Sequence, residues 1–241
     1  FQTRESFERT LERIIEVGPD RLSVFNYAHL PQIFKPQRRI NAGELPPPEV
    51  KLEILHMTAQ KLADAGYVYI GMDHFAKPDD ELAVAQREGT LYRNFQGYST
   101  HADCDLVGLG ITSIGMVGNC YAQNLKDLES YYARIDAGEL AVFRGLELTP
   151  EDELRRDVIT RLICNFVLDY ESVGQRWGID FREHFRDELQ RLEEMAADGL
   201  LELNEKGIRV LPVGRMLIRN ICMVFDAYLK QAQGQRFSRV I

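Results

Sequence analysis

Two helix-then-strand units at the start of the chain constrain its fold more than any other feature. In the first unit, apolar residues recur at helical spacing between Thr3, a plausible N-cap, and Gly18, a stop signal. The alternating, β-prone run 21–27 follows as a strand, and the second unit repeats the order with a helix over 52–63 and a strand over 67–70. Helices that alternate with short strands predict parallel pairing, and hence an α/β sheet or part of a (β/α) barrel.

The chain changes character near residue 147. Pro150 stands at the first helical position behind Thr149, which is a strong helix start. Further along, two short apolar runs face each other across the turn 204–207, which predicts a hairpin. Helices are predicted over 150–166, 181–197 and 214–229. The order of helix, helix, two-stranded wing and helix predicts two units: residues 1–146, part of a barrel, and residues 147–241, a mostly helical, winged-helix-like domain.

The charge balance bears on the partners of the chain. Among 241 residues, 37 are Asp or Glu and 29 are Lys or Arg, so the net charge is −8 and phosphate backbones are repelled. Residues 180–198 carry seven acidic side chains against three arginines, which disfavours DNA binding by the winged module. No run approaches the roughly 18 apolar residues of a membrane span. We therefore expect a soluble protein that binds neither nucleic acid nor membrane. We also expect it to be cytoplasmic and monomeric.

The cysteines are too far apart for a metal site of their own. Cys104, Cys120, Cys164 and Cys222 form no CxxC or CxxxC pair, so we predict buried free thiols and no metal bound by this chain alone. The chain begins at Phe1 and runs directly into a helical pattern. We therefore expect it to be the middle of a longer protein.

A histidine follows the second predicted strand. Asp73 and His74 are placed in a strand-to-helix loop, where α/β enzymes often carry catalytic residues. His74 could titrate near neutral pH if a carboxylate orients it, whereas the alternative is a hydrogen bond that stabilises the loop.

Four arginines are predicted on or near the loops of residues 1–146: Arg38, Arg39, Arg87 and Arg93. Their guanidinium groups would suit a ligand that bears carboxylates, although ordinary surface arginines are the alternative. Three aromatic residues close to Arg93 could stack on a flat ring or fill the core: Tyr92, Phe95 and Tyr98.

The glycine-rich run around Gly108 and Gly110 fails as a dinucleotide fingerprint because Ser113 stands where a third glycine would be required. The glycines permit close approach of the backbone to a ligand, or tight packing of a strand.

Several stretches of this sequence resemble the oxygen-independent coproporphyrinogen III oxidase family. They are RLSVFNYAHLP at 21–31, GMDHFAKPDDELAVAQREG at 71–89, RNFQGY at 93–98 and FSRVI at 237–241. The resemblance covers essentially the whole chain and implies the C-terminal part of a radical S-adenosylmethionine barrel, followed by a helical domain.

The resemblance also implies an activity in haem biosynthesis. Members of this family oxidatively decarboxylate two propionates of coproporphyrinogen III to vinyl groups, using a 5′-deoxyadenosyl radical, a [4Fe-4S] cluster and an electron donor. The CxxxCxxC loop that holds the cluster is absent from this chain, so the cluster ligands are expected outside it and the segment alone is expected to be inactive. A non-catalytic haem-binding or chaperone-like relative is the alternative.

Two positions that contact S-adenosylmethionine in the family match Ala28 and Ile114. Both would make backbone or apolar contacts with the nucleoside end of the cofactor. His74 and Arg93 are expected to line the pocket because of their position, and no catalytic residue is assigned.

Overall fold

The computed structural model describes residues 2–102 and 104–229. The tail motif 237–241 lies outside the described residues. Helix α1 (Arg4–Val17) begins after Thr3, whose hydroxyl accepts a hydrogen bond from the Ser6 amide while the Ser6 hydroxyl accepts one from the Thr3 amide. Gly18 ends the helix in a left-handed conformation, so both predicted caps are confirmed.

The first sheet contradicts the predicted parallel pairing. Its elements are β1 (Arg21–Ser23), the 3-10 helices Lys35–Arg39 and Ala42–Glu44, α2 (Pro48–Asp64), β2 (Val68–Gly71) and β3 (His74–Ala76). The strand order is β1-β3-β2, and β3 pairs antiparallel with both neighbours. Strands β1 and β2 therefore run in the same direction, but β3 separates them. Strand β1 also ends earlier than predicted, at Ser23 rather than near residue 27.

A tight hairpin explains this difference. Met72 adopts φ +52°, which residues other than glycine rarely do, and the chain reverses within Met72 and Asp73. His74 is consequently the first residue of the central strand, and its predicted place in a strand-to-helix loop is wrong.

A capped helix and a second hairpin follow. They are α3 (Glu81–Glu88), β4 (Tyr92–Arg93) and β5 (Tyr98–Ser99). Asp80 caps α3 by accepting from the Leu82 amide, and the Asn94 side chain accepts from the amides of Gln96 and Gly97 in the turn of the hairpin.

The glycine-rich run leads into an antiparallel three-stranded sheet. Its elements are β6 (Ile114–Val117), β7 (Cys120–Asn124), α4 (Leu128–Asp136) and β8 (Val142–Glu147), with the strand order β6-β7-β8. A Cβ at Gly115 would lie 2.8 Å from the Leu106 carbonyl, and one at Gly108 would lie 3.0 Å from the Ile114 backbone. The close approach that the glycines permit therefore includes packing of one backbone segment on another.

The C-terminal region contains the largest core. Its elements are α5 (Pro150–Asn165), β9 (Val167–Asp169), α6 (Tyr170–Trp177), α7 (Phe181–His184), α8 (Arg186–Ala197), β10 (Leu201–Leu203), β11 (Gly207–Val210), α9 (Pro212–Met216) and α10 (Ile218–Met223). The predicted hairpin is confirmed as β10 and β11, and β9 extends the sheet in the order β10-β11-β9.

Two predicted helices are interrupted. The helix predicted over 181–197 breaks at Phe185, which leaves helical geometry while its ring is fully buried. The helix predicted over 214–229 breaks at Leu217 and ends at Met223. At Phe185, burial of the ring overrides a continuous helical pattern. Within the described residues, no helix combines the length and the apolar character needed to cross a bilayer.

The cysteine prediction is half right. Cys164 and Cys222 are buried, whereas Cys104 and Cys120 are exposed. Cys120 is the first residue of β7. The neighbouring strand β8 is exposed along its whole length, so the sheet does not bury Cys120.

Candidate functional site

A polar cluster lies where the β2–β3 and β4–β5 hairpins meet α5 and α10. Tyr98 is at its centre, and its hydroxyl donates to the Ile163 carbonyl on α5 at 3.0 Å. The His74 ring meets the Tyr98 ring edge-on at 5.3 Å between centroids, and the Arg93 guanidinium lies 4.6 Å from the same ring. We call Asp73, His74, Arg93 and Tyr98 the Tyr98 cluster.

A glycine allows the cluster to close. Gly71 has φ +139°, and a Cβ at this position would overlap the Tyr98 hydroxyl and come within 3.2 Å of the Phe166 ring. Only glycine therefore suits the end of β2 here, because both the backbone conformation and the space demand it. Phe166 itself adopts φ +59° directly after α5, which turns its ring into the core.

Burial and charge shift the ionisation of the cluster. Burial raises the pKa of the Asp73 carboxyl, and the opposing positive charges are Arg219 on α10, then His74 and Arg93. Burial, followed by the Arg93 charge, lowers the pKa of His74, and Asp73 opposes this shift only partly. The neutral imidazole is therefore the favoured form of His74 near neutral pH.

The Arg93 charge also reaches the C-terminal region. Burial raises the pKa of the Cys164 thiol to about 12, and Arg93 opposes that shift. Burial also raises the pKa of Cys222 on α10, again against the Arg93 charge. Arg93 thus lies at the junction of β4, α5 and α10.

Two nitrogen atoms of the cluster are buried without a hydrogen-bond partner among the described residues. They are Nδ1 of His74 and one terminal guanidinium nitrogen, Nη1, of Arg93. Buried polar atoms without partners are uncommon in folded proteins, and an ordered water, an ion or a bound ligand commonly satisfies them. Asn165 at the end of α5 and Asn220 on α10 each bury an unpartnered side-chain oxygen as well.

The sequence identified only part of this cluster. His74 and Arg93 were predicted to line one pocket, and the structure places both against Tyr98. Arg219 was missed because it lies on a helix with no local motif, and only the three-dimensional packing brings its charge to Asp73.

Ala28 and Ile114 occupy different local settings. Ala28 is exposed in the loop after β1, and its carbonyl accepts from the Gln37 side-chain amide at 3.1 Å. The same Gln37 side chain accepts from the Leu30 amide at 2.6 Å, which fixes this part of the loop. Ile114 is half-buried at the start of β6, paired with Gln123.

The other predicted ligand groups stay at the surface. Arg38, Arg39 and Arg87 are exposed; Arg38 donates to the Pro31 carbonyl and Arg87 to the Pro78 carbonyl. Of the four candidate arginines, Arg93 alone is partly buried. Over the described part of the chain, no three His, Cys, Asp or Glu side chains gather into a group that could hold a metal ion.

Comparisons with known proteins place this geometry in a family. Residues 148–217 match the model of the HemN C-terminal domain. The oxygen-independent coproporphyrinogen III oxidase of Salmonella typhimurium strain LT2 is 58% identical over 241 residues, which are 100% of this chain and 53% of that protein. The enzyme of the same name from Thermostichus vulcanus is 49% identical over 242 residues, covering 100% of this chain and 74% of that protein.

A solved structure agrees with these matches. Coproporphyrinogen III oxidase (HemN) from Escherichia coli, described as a radical SAM enzyme, superposes with a TM-score of 0.91 at 57% identity over 94% of this chain and 52% of that one. The chain therefore spans about half the length of several of its curated relatives. Since the Thermostichus vulcanus enzyme is 49% identical and this chain covers 74% of its length, the chain belongs to the oxygen-independent coproporphyrinogen III oxidase family.

Proposed function

We propose that the complete protein carrying this chain converts two propionate side chains of coproporphyrinogen III to vinyl groups, which gives protoporphyrinogen IX in haem biosynthesis. The observation that carries this proposal is the 58% identity along all 241 residues to an enzyme named for this substrate. The Tyr98 cluster supports it, because partly buried polar and charged side chains, including His74 and Arg93, come together there.

The proposed cofactors are S-adenosylmethionine and a [4Fe-4S] cluster, which would supply the one-electron chemistry that starts the reaction, with electrons from a separate donor. The described residues do not fit the cluster, because no three potential ligands come together among them. We assign to this chain only the contacts of Ala28 and Ile114 with the nucleoside end of S-adenosylmethionine. The Gln37 clamp on the Ala28 carbonyl supports a loop held in one conformation for this purpose.

We also propose the architecture around the site. Residues 1–146 would complete part of a (β/α) barrel, and residues 147–241 would form a winged-helix-like domain packed against it. The α5, α8 and β10–β11 elements supply the helix, helix and wing order, and Tyr69 of β2 packs against the C-terminal core. The Tyr98 cluster would then lie at the boundary between the two units.

The direct test is anaerobic turnover of coproporphyrinogen III by the complete protein, with S-adenosylmethionine and a reductant. The products are oxidised to porphyrins and identified by mass spectrometry. We expect a porphyrin that has lost two carboxylates, formed only when S-adenosylmethionine is present. Binding of haem without any decarboxylation would contradict the proposal and favour a haem-handling relative.

The cofactor contacts need their own test. Substitution of Ala28 by Tyr should weaken S-adenosylmethionine binding at least about tenfold, because the larger side chain would fill the space beside the loop. Ala42→Tyr is the matched control, since Ala42 is exposed in the same long connection. Unchanged affinity in the Ala28 variant would remove this residue from the site.

A further inference from the structure

Among the described residues, Arg93 has no ion-pair partner, although it lies at the junction of β4, α5 and α10. No carboxylate among the described residues comes within 4.0 Å of its guanidinium group. Asp73 is the acidic member of the cluster, but the charge that acts on it most strongly is that of Arg219, ahead of Arg93. The cluster therefore retains positive charge that the described part of the chain does not neutralise.

The Arg93 side chain is held in place before any ligand arrives. Its guanidinium lies over the Tyr98 ring at 4.6 Å, and Tyr98 is fixed by its hydrogen bond to Ile163. The His74 ring packs edge-on against the same Tyr98 ring. A planar cation that is stacked and oriented in this way loses little side-chain entropy when it forms a paired contact.

The unpartnered Nη1 atom favours a ligand-binding role for Arg93 over a purely structural role. Stacking on Tyr98 alone would explain the position of the guanidinium, but it leaves a buried N–H group without an acceptor. An unpaired buried group of this kind destabilises the folded state, and a charged one does so more strongly. A ligand oxygen with negative charge would satisfy it, and the planar fork of an arginine matches a carboxylate.

We propose that Arg93 binds a carboxylate group of a ligand of this enzyme, with Tyr98 as the platform that orients the guanidinium. The inference rests on the proposed function, because that function supplies two ligands with carboxylates: the propionates of the tetrapyrrole and the amino-acid end of S-adenosylmethionine. Arg93 is a binding and positioning residue in this account, and it takes no part in bond breaking.

The test measures binding to the complete protein rather than its activity alone. Dissociation constants are determined for coproporphyrin III, for its tetramethyl ester and for S-adenosylmethionine, with the wild type, Arg93→Met and Arg93→Lys. Arg87→Met is the control, since it removes an exposed arginine of the first unit. Circular dichroism and thermal unfolding establish that each variant folds, and Arg93→Gln replaces the Met variant if that variant does not.

We expect Arg93→Met to weaken binding of one carboxylate ligand about 10- to 100-fold, with little effect on the tetramethyl ester. Arg93→Lys should restore only part of the affinity, because an ammonium group cannot form the paired contact. A loss confined to coproporphyrin III assigns the contact to a propionate, and a loss confined to S-adenosylmethionine assigns it to the amino-acid carboxylate.

Other results would overturn the inference. If a folded Arg93→Met variant binds coproporphyrin III and S-adenosylmethionine as the wild type does, Arg93 holds no ligand carboxylate. An equal loss for the tetramethyl ester would show that the effect does not depend on a carboxylate. If the wild type converts coproporphyrinogen III while the Arg93 variant keeps its affinities for coproporphyrin III and S-adenosylmethionine, this inference fails and the proposed function stands. If the wild type neither binds nor converts the tetrapyrrole, the proposed function fails, and S-adenosylmethionine binding still decides the role of Arg93.

Discussion

Many apolar side chains are buried in the C-terminal region, residues 148–229, whereas those of α4 and β8 are exposed or only partly buried. In the former, α5, α8 and α10 close over one core, and Phe185 and Phe225 are fully buried. In the latter, every residue of β8 is exposed, and α4 contains no buried residue. Phe143 of β8 is 53% exposed.

This difference shows where the stability of the described chain resides. Burial of apolar surface is the main favourable contribution to folding, so the C-terminal core should dominate the unfolding free energy. The exposed apolar side chains of the β6–β8 sheet contribute little, and such surfaces are typical of faces that another part of a protein covers. The family match to residues 148–217 lies within the region that has the dense core.

A matched pair of phenylalanine substitutions tests the comparison most strongly. Phe225→Ala should lower the unfolding free energy by about 4 kcal/mol, because it removes a fully buried ring. Phe143→Ala should cost less than about 1 kcal/mol, because the ring is half-exposed, with the Lys126 ammonium 5.4 Å from its centroid. Urea unfolding followed by circular dichroism measures both, and similar losses would break the comparison.

The buried ion pair of the C-terminal core gives the next largest effect. The Arg155 guanidinium bonds Glu188 at 3.1 Å and the Phe225 carbonyl at 3.0 Å, and it lies over the Phe185 ring. Glu188→Ala should destabilise the chain by about 2 kcal/mol, because it removes one charged hydrogen-bond partner of the largely buried guanidinium, which keeps the more exposed Glu151 carboxylate at 2.6 Å. Glu193→Ala, at an exposed position of the same helix, is the control and should change the stability little. Equal effects would show that the ion pair does not contribute to the core.

Two tyrosine substitutions compare the junction with the exposed helix α4. Tyr98→Phe removes the hydrogen bond to the Ile163 carbonyl and should cost about 1 kcal/mol. Tyr132→Phe, on the exposed helix α4, should be close to neutral. Thermal unfolding distinguishes the two, and a neutral Tyr98 variant would mean that the junction is not held by this bond.

The smallest effect concerns pH. Because burial and Arg93 lower the pKa of His74 below its ordinary value of 6.5, the folded state favours the neutral ring. The stability that the neutral ring contributes is present above pH 6.5 and is lost as the pH falls through the lowered pKa. Relative to His74→Gln, the wild type should therefore lose stability as the pH falls from about 7 to about 5. His56→Gln, at an exposed site on α2, is the control, and parallel curves for the wild type and His74→Gln would contradict the assignment.

Local signals in the sequence predicted local structure well. The caps at Thr3 and Gly18, the start of α5 at Pro150 and the β10–β11 hairpin were all readable, because capping and turn chemistry depend on adjacent residues. The insertion of β3 between β1 and β2 was not readable, because it depends on a reversal at Met72 that has no glycine at its centre.

The candidate site was predictable only in outline. His74 was selected because it follows a predicted strand and Arg93 because it was placed on or near a loop, but their meeting on Tyr98 is a tertiary contact. The same holds for Arg219, which reaches the site from a helix more than a hundred residues away in sequence. The exposure of Cys120 was missed because burial was inferred from residue type, whereas the open face of its sheet decides it.

The most direct test of the account is a crystal structure of the complete protein with coproporphyrin III and S-adenosylmethionine bound. We predict that a carboxylate oxygen of one of these ligands lies about 2.7–2.9 Å from Nη1 of Arg93, while the guanidinium stays on the Tyr98 ring. Density that places every ligand carboxylate on other residues, with Nη1 bonded to a protein group, would contradict the account.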